Sequence, residues 1–148
     1  MPAEFDVEVK LAVYAHIAET TRAPTVAQVA EAVRAPEPEV KAAYVRLYRN
    51  RVLVLEPDGE SVRMAPPFSG VPTQHRVRVA GKEYFANCAW DALGVPAALH
   101  QPGEVLSRCE QTLEPIRLQV GESGPAPEPC VIHFAVPATL WWKDIVFT

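Results

Sequence analysis

The feature that most constrains this chain is the run Ala65-Pro66-Pro67-Phe68-Ser69-Gly70-Val71-Pro72, because the hydrophobic pattern changes character across it. Proline fixes φ and removes an amide donor, so the run is stiff and expected to continue neither a helix nor a strand. Before it, apolar residues recur at helical spacing; after it, short alternating stretches take over. The expectation is an α+β chain with a subdomain over residues 1–66, a linker over 67–73 and a second subdomain over 74–148.

In the first part, Val7, Leu11, Tyr14 and Ala18 recur at helical spacing over residues 5–19, with Val13 and Ile17 widening the stripe towards one buried face. Thr25-Val26-Ala27-Gln28, after Pro24, has the form of a capping box and starts a short helix to about Val33. A third helix, ending near Asn50, presents Val40, Ala43, Tyr44, Leu47 and Tyr48 on one face. Residues 52–55 and 61–64 then flank Pro57-Asp58-Gly59 as a hairpin. Three helices and a hairpin make a winged-helix pattern.

The second part reads as a small mixed or antiparallel sheet carrying one important helix. Residues 76–79 and 83–86 bracket Ala80-Gly81-Lys82 as a second hairpin. A helix is expected from about Cys88, interrupted at Gly94 and Pro96, and strands over 104–112, 116–120 and 131–136.

Composition removes several function classes. The 148 residues are 49% hydrophobic with a formal charge of -4, enough for a real core. Residues 1–72 carry ten acidic and eight basic side chains and the rest eight and six, so neither part looks like an electrostatic nucleic-acid binder. No basic start precedes an apolar run and no stretch is long enough to cross a membrane, so a soluble cytoplasmic protein is expected. Cys88, Cys109 and Cys130 are too few, and odd in number, for a disulfide-stapled secreted domain, and read as reduced thiols.

Chemistry concentrates in Tyr84-Phe85-Ala86-Asn87-Cys88-Ala89-Trp90-Asp91-Ala92-Leu93. With Asn87 as a cap, Cys88 falls beside the first helical amides, whose partial positive charge favours thiolate over thiol. Asp91 follows three residues later on the same helical face. Trp90, Leu93 and Phe85 suggest an apolar surround that would let Asp91 keep a proton. By spacing alone Cys-x-x-Asp is a weak pattern, and a small buried thiol beside a solvated carboxylate explains it better.

The longer segment, continuing Gly94-Val95-Pro96-Ala97-Ala98-Leu99, resembles the active-site segment of the organomercurial (alkylmercury) lyases, which carry Cys-x-x-Asp followed by Leu and a Pro-Ala-Leu-like stretch. The resemblance extends to Cys109, matching a cysteine with a structural role, to the order of strands, and to a winged-helix-like N-terminal part. It implies protonolysis of carbon–mercury bonds, as in mercury detoxification and resistance. Cys88 would ligate mercury and Asp91 would protonate the leaving carbon, with R–H and Hg²⁺ as products. No resident cofactor is implied, since the metal belongs to the substrate, and low-molecular-weight thiols or a mercuric-ion-accepting protein would take the product. The family's second catalytic cysteine lies just after a segment resembling residues 141–148, so it is expected directly after Thr148. A shortened chain, a catalytically inactive mercury-binding paralogue, or a selenocysteine codon at that position each fit this reading.

Other groups carry weaker expectations. Trp90 and Trp141 are candidates to line a pocket for the organic group, although Trp141 and Trp142 also read as anchors of a terminal helix in the core. Cys130 and His133 lie in an expected strand, where residues three apart face opposite sides, so no zinc site is expected and Cys130 is taken as buried. Lys41, Arg46, Arg49 and Arg51 along the third helix raise the rival of a DNA-binding regulator that senses a thiophilic metal. Asp144 reads as solvated.

Overall fold

The computed structural model describes residues 3–147 and has an α+β architecture. Helices α1 (Glu4–Thr20), α2 (Val26–Val33) and α3 (Glu37–Arg49) come first. Glu4 and Asp6 in the first turn of α1 and Glu37 and Glu39 in that of α3 complement the positive helix ends. The capping box of α2 forms as expected, with Thr25 Oγ1 accepting from the Gln28 amide at 3.2 Å and Gln28 Oε1 from the Thr25 amide at 2.9 Å.

The buried face of α1 differs from the expected one. Val9, Val13 and Ile17, spaced by four, pack inward with Asp6, whereas Val7 and Leu11 are exposed. The buried carboxylate of Asp6 shifts the face. It accepts from Arg46 Nε at 3.0 Å and Nη2 at 2.7 Å, tying α1 to α3. On α3, Val40, Ala43, Tyr44 and Leu47 are buried as expected, while Tyr48 turns outward.

Strands β1 (Val54–Leu55), β2 (Val62–Ala65) and β3 (Phe68–Ser69) form an antiparallel sheet. Residues 68–69 therefore continue the sheet, although the Pro-rich run was expected to interrupt it. Phe68 pairs with Ala65 on one side and bridges to Ala86 on the other, so the segment stitches both parts of the chain together. The cores are continuous too: buried residues from α1 to β7 form a single apolar cluster.

The second sheet has the order β5-β4-β6-β7-β8, all antiparallel, from β4 (Arg76–Val79), β5 (Lys82–Phe85), β6 (Gly103–Arg108), β7 (Pro115–Gly121) and β8 (Gly124–Pro125). Positive φ at Ala80 and Gly81 closes the tight β4–β5 turn. Helix α4 (Ala89–Ala98) packs on β4, β6 and β7 and runs through Gly94 and Pro96, where an interruption was expected. At Gly103 a Cβ would lie 2.9 Å from the Pro96 ring and 2.8 Å from Val79, so only glycine lets α4 approach the sheet this closely.

Two expected strands change. Residues 104–112 are extended only to Arg108; Cys109 then opens a turn, with its N–H donating to Glu114 O and its carbonyl accepting from Leu113 N. Residues 131–136 form no strand and pair with no edge of the sheet, whose last strand is the two-residue β8. Val131 is 92% exposed. A 3₁₀ helix, Ala138–Lys143, follows, with Trp141 and Trp142 half-buried on the surface instead of anchored in the core.

Candidate active site

The strand-to-helix junction after β5 places the reactive groups. The cap of α4 is Cys88 itself, one residue later than expected: its backbone is extended and its Sγ accepts from the Asp91 amide at 3.4 Å. Asn87 is freed for another task. Its Nδ2 donates to Phe68 O at 3.1 Å and to Asp91 Oδ2 at 3.0 Å. Since both partners are acceptors, the amide's orientation is fixed by chemistry. Its Oδ1 is buried with no partner among the described residues.

Asp91 is half-buried, and this burial raises its carboxyl above the usual carboxylate range, opposed by the Asn87 hydrogen bond. That is the direction expected from an apolar surround, but Trp90, 60% exposed, is not its source. Cys88 departs from expectation. Burial pushes its thiol up; the Asp91 and Trp90 amides pull it down and the Asp91 charge adds to the rise. Desolvation outweighs the helix end, so the free site holds a thiol and not a preformed thiolate.

Tyr14 and Asn87 are positioning groups that the sequence reading did not assign to the site. Tyr14 donates to Pro66 O at 2.7 Å and packs edge-on against Phe68, which in turn contacts Tyr84. Burial and then the nearby Asp91 charge push Tyr14 up to about 12, so it stays a neutral donor over the working pH range. Asn87 carried a signal, as a polar residue preceding Cys88. Tyr14 carried none, because only tertiary folding brings α1 to Asp91.

Trp90 and Trp141 line one cleft of about 540 Å³ together with Phe134, Val136 and Pro137, and Cys88 and Asp91 are not among its lining residues. Trp141 is fixed there by donation from Nε1 to Val136 O at 3.0 Å and by Phe134, 4.9 Å away between ring centroids. Asp144 accepts from the Phe147 amide at 3.2 Å and is exposed. Cys109 is half-buried in the turn after β6, and Cys130, expected to be buried, is exposed because its segment is not a strand.

The basic residues of the third helix are largely committed within the molecule. Lys41 pairs with Glu60 at 2.6 Å, Arg46 with Asp6, and Arg51 lies 5.8 Å from the centre of the Trp142 ring. Such commitments leave little of a phosphate-binding face. No helix among the described residues is long and apolar enough to cross a membrane.

Comparison with known proteins adds three findings. The sequence profile of the family described as alkylmercury lyase matches residues 68–148, more than half of the chain. Alkylmercury lyases of Bacillus cereus and Clostridium butyricum are each 44% identical over 50 residues, which is 34% of this chain and 23% of theirs. The matched stretch thus spans about a quarter of the length of these relatives. The crystal structure of the mercury-bound form of MerB2 superimposes with a TM-score of 0.63 at 24% identity, covering 81% of this chain and 59% of that one, and so shares its fold.

Proposed function

Because the chain belongs to the alkylmercury lyase family, we propose that it cleaves the carbon–mercury bond of an organomercurial by protonolysis, with Cys88 as mercury ligand and Asp91 as proton donor. The observation that carries this reading is the hydrogen-bonded first turn of α4, where a desolvated thiol and a carboxyl raised by burial lie three residues apart.

The chemistry follows from those two groups. Mercury of R–Hg⁺ prefers sulfur to oxygen or nitrogen, so binding at Cys88 displaces the thiol proton to solvent and forms an Hg–S bond. A second soft ligand, from a cysteine beyond Thr148 or an added thiol, weakens the C–Hg bond further. Asp91 then gives its proton to the carbon as the C–Hg electron pair moves to form the C–H bond. R–H leaves, and Hg²⁺ remains on sulfur beside the new Asp91 carboxylate. Asn87 holds that carboxylate in place, and Trp90 and Trp141 offer an apolar wall for the organic group. Small thiols or a mercuric-ion-accepting protein would remove the product.

Hydrocarbon release from an organomercurial, measured in the headspace, tests the proposal on this chain and on a form extended past Thr148 by a cysteine. Release that requires Cys88 supports it; a folded extended form that releases none rejects it.

A further inference from the structure

The turn that ends β6 and the segment before the 3₁₀ helix bring the other two thiols to one place. Cys109 and Cys130 both line a cavity of about 390 Å³, with His75 and His133 on its rim and Ala89 and Leu93 of α4 forming one wall. Ala89 directly follows Cys88, so this cavity adjoins the first turn of the helix that carries the candidate active site. We propose that Cys109 and Cys130 form a second site, which takes a soft two-coordinate cation such as Hg²⁺ between two thiolates.

Two observations support the ligand class. Sulfur is the donor that both sides of the cavity contribute, and paired thiolates select soft ions. Among the described residues no three His, Cys, Asp or Glu side chains are placed to hold a metal, which disfavours a four-coordinate zinc site, whereas a soft ion such as Hg²⁺ needs only two thiolates. His75, whose Nδ1 pairs with Ser107 Oγ at 2.8 Å, is lowered by burial and stays a neutral imidazole at the cavity edge.

On binding, two S–H bonds break and two Hg–S bonds form. Both protons go to buffer and no electron is transferred, so no oxidant is needed. The role of this site as the first acceptor of Hg²⁺ released at Cys88 rests on the proposed function; its capacity to bind the ion does not.

The test uses the Cys88→Ser variant, which removes the candidate active-site sulfur and makes the outcome independent of hydrocarbon release. The protein is equilibrated with mercuric chloride and excess free cysteine as a competing monothiol, then examined by native mass spectrometry and thiol titration. One ion retained per monomer, with two protein thiols consumed, is expected. Cys130→Ser on that background should weaken retention by roughly a hundredfold or more, the advantage that a second tethered ligand confers. Cys130 is exposed, so this change leaves the fold intact even if Cys109→Ser does not fold. The proposal is overturned by no retained ion, by one thiol consumed per ion, by retention only in dimers, or by retention indifferent to Cys130→Ser.

Discussion

Cys88 and Cys109 sit in similar local frames and are driven in opposite directions. Each sulfur lies at the start of a turn whose backbone amides favour its ionised form, those of Asp91 and Trp90 at Cys88, where the Asp91 amide donates at 3.4 Å, and those of Thr112 and Gln111 at Cys109. Cys88 is nevertheless pushed up and Cys109 pulled down. The difference lies in burial and in neighbouring charge. Desolvation dominates at Cys88 and the Asp91 carboxyl adds to it, whereas at Cys109 the neighbouring Thr112 hydroxyl lowers the thiol further and desolvation is minor. A helix end therefore does not by itself make a reactive thiolate. In the proposed lyase this ordering is useful, since burial favours the protonated form of both groups and so favours an Asp91 proton being available when mercury arrives.

The largest expected effect comes from removing that acid. Asp91→Asn should lower hydrocarbon release by about 10²–10⁴-fold, the usual contribution of a positioned general acid, while stoichiometric mercury binding at Cys88 persists. The same change removes a charge that opposes ionisation of Cys88, so its alkylation should become faster as catalysis fails. Stability should move the other way from activity. The Asp91 carboxyl is raised in the fold, so the folded state holds its proton more tightly, and wild-type stability falls as pH climbs from the ordinary carboxylate value to the folded one. Asp91→Asn should thus gain thermal stability relative to wild type at neutral pH and lose that gain in acid. Equal midpoint differences at both pH values would show that burial does not hold the proton on Asp91.

Next in size is Asn87→Ala. Losing its donations to Phe68 O and Asp91 should cost about 0.5–1.5 kcal/mol in chemical denaturation. Asn87 also restrains the rise of Asp91, so without it the acid titrates higher and the falling limb of the pH–activity profile should move to higher pH. A profile unmoved by the substitution would reduce Asn87 to a purely structural residue.

How much of this was legible in the sequence follows how local each feature is. The capping box at Thr25 and Gln28 and the β4–β5 hairpin are written within a few residues; the box forms as read, and the hairpin forms with the shorter turn Ala80-Gly81, because Lys82 already pairs with Val79. The spacing of Cys88 and Asp91 was equally local, and the first turn of α4 keeps them together. The buried face of α1 was misread because Asp6 looks like a surface residue until Arg46 arrives from α3 to neutralise it. Residues 131–136 look like a strand by composition, yet a strand forms only by pairing with a sheet edge, and this segment pairs with none. The ionisation of Cys88 was inverted for a related reason: the helix amides are visible in the sequence and the desolvating neighbours are not.

A direct comparison of the two thiols supplies a smaller effect. With limiting iodoacetamide at mildly alkaline pH, Cys109 should be modified before Cys88, as read by peptide mass spectrometry, because only the thiolate reacts appreciably and its fraction is greater at Cys109. Exposed Cys130 serves as the internal reference. Faster labelling of Cys88 would restore the helix end as the dominant influence.

The smallest effect isolates what Thr112 does. Its hydroxyl is the largest single cause of the lowering at Cys109, ahead of the two amides. Thr112→Val keeps the branched shape and the backbone donors, so Cys109 should still titrate below an ordinary thiol but above its wild-type position. Because Thr112 is exposed, the fold should be little affected. The alkylation profile of Cys109 should shift modestly towards higher pH while that of Cys88 stays put. A shift that also moves Cys88 would mean that the two sulfurs are coupled through the α4 wall of the cavity, whereas a fixed Cys109 profile would assign its lowering to the amides alone.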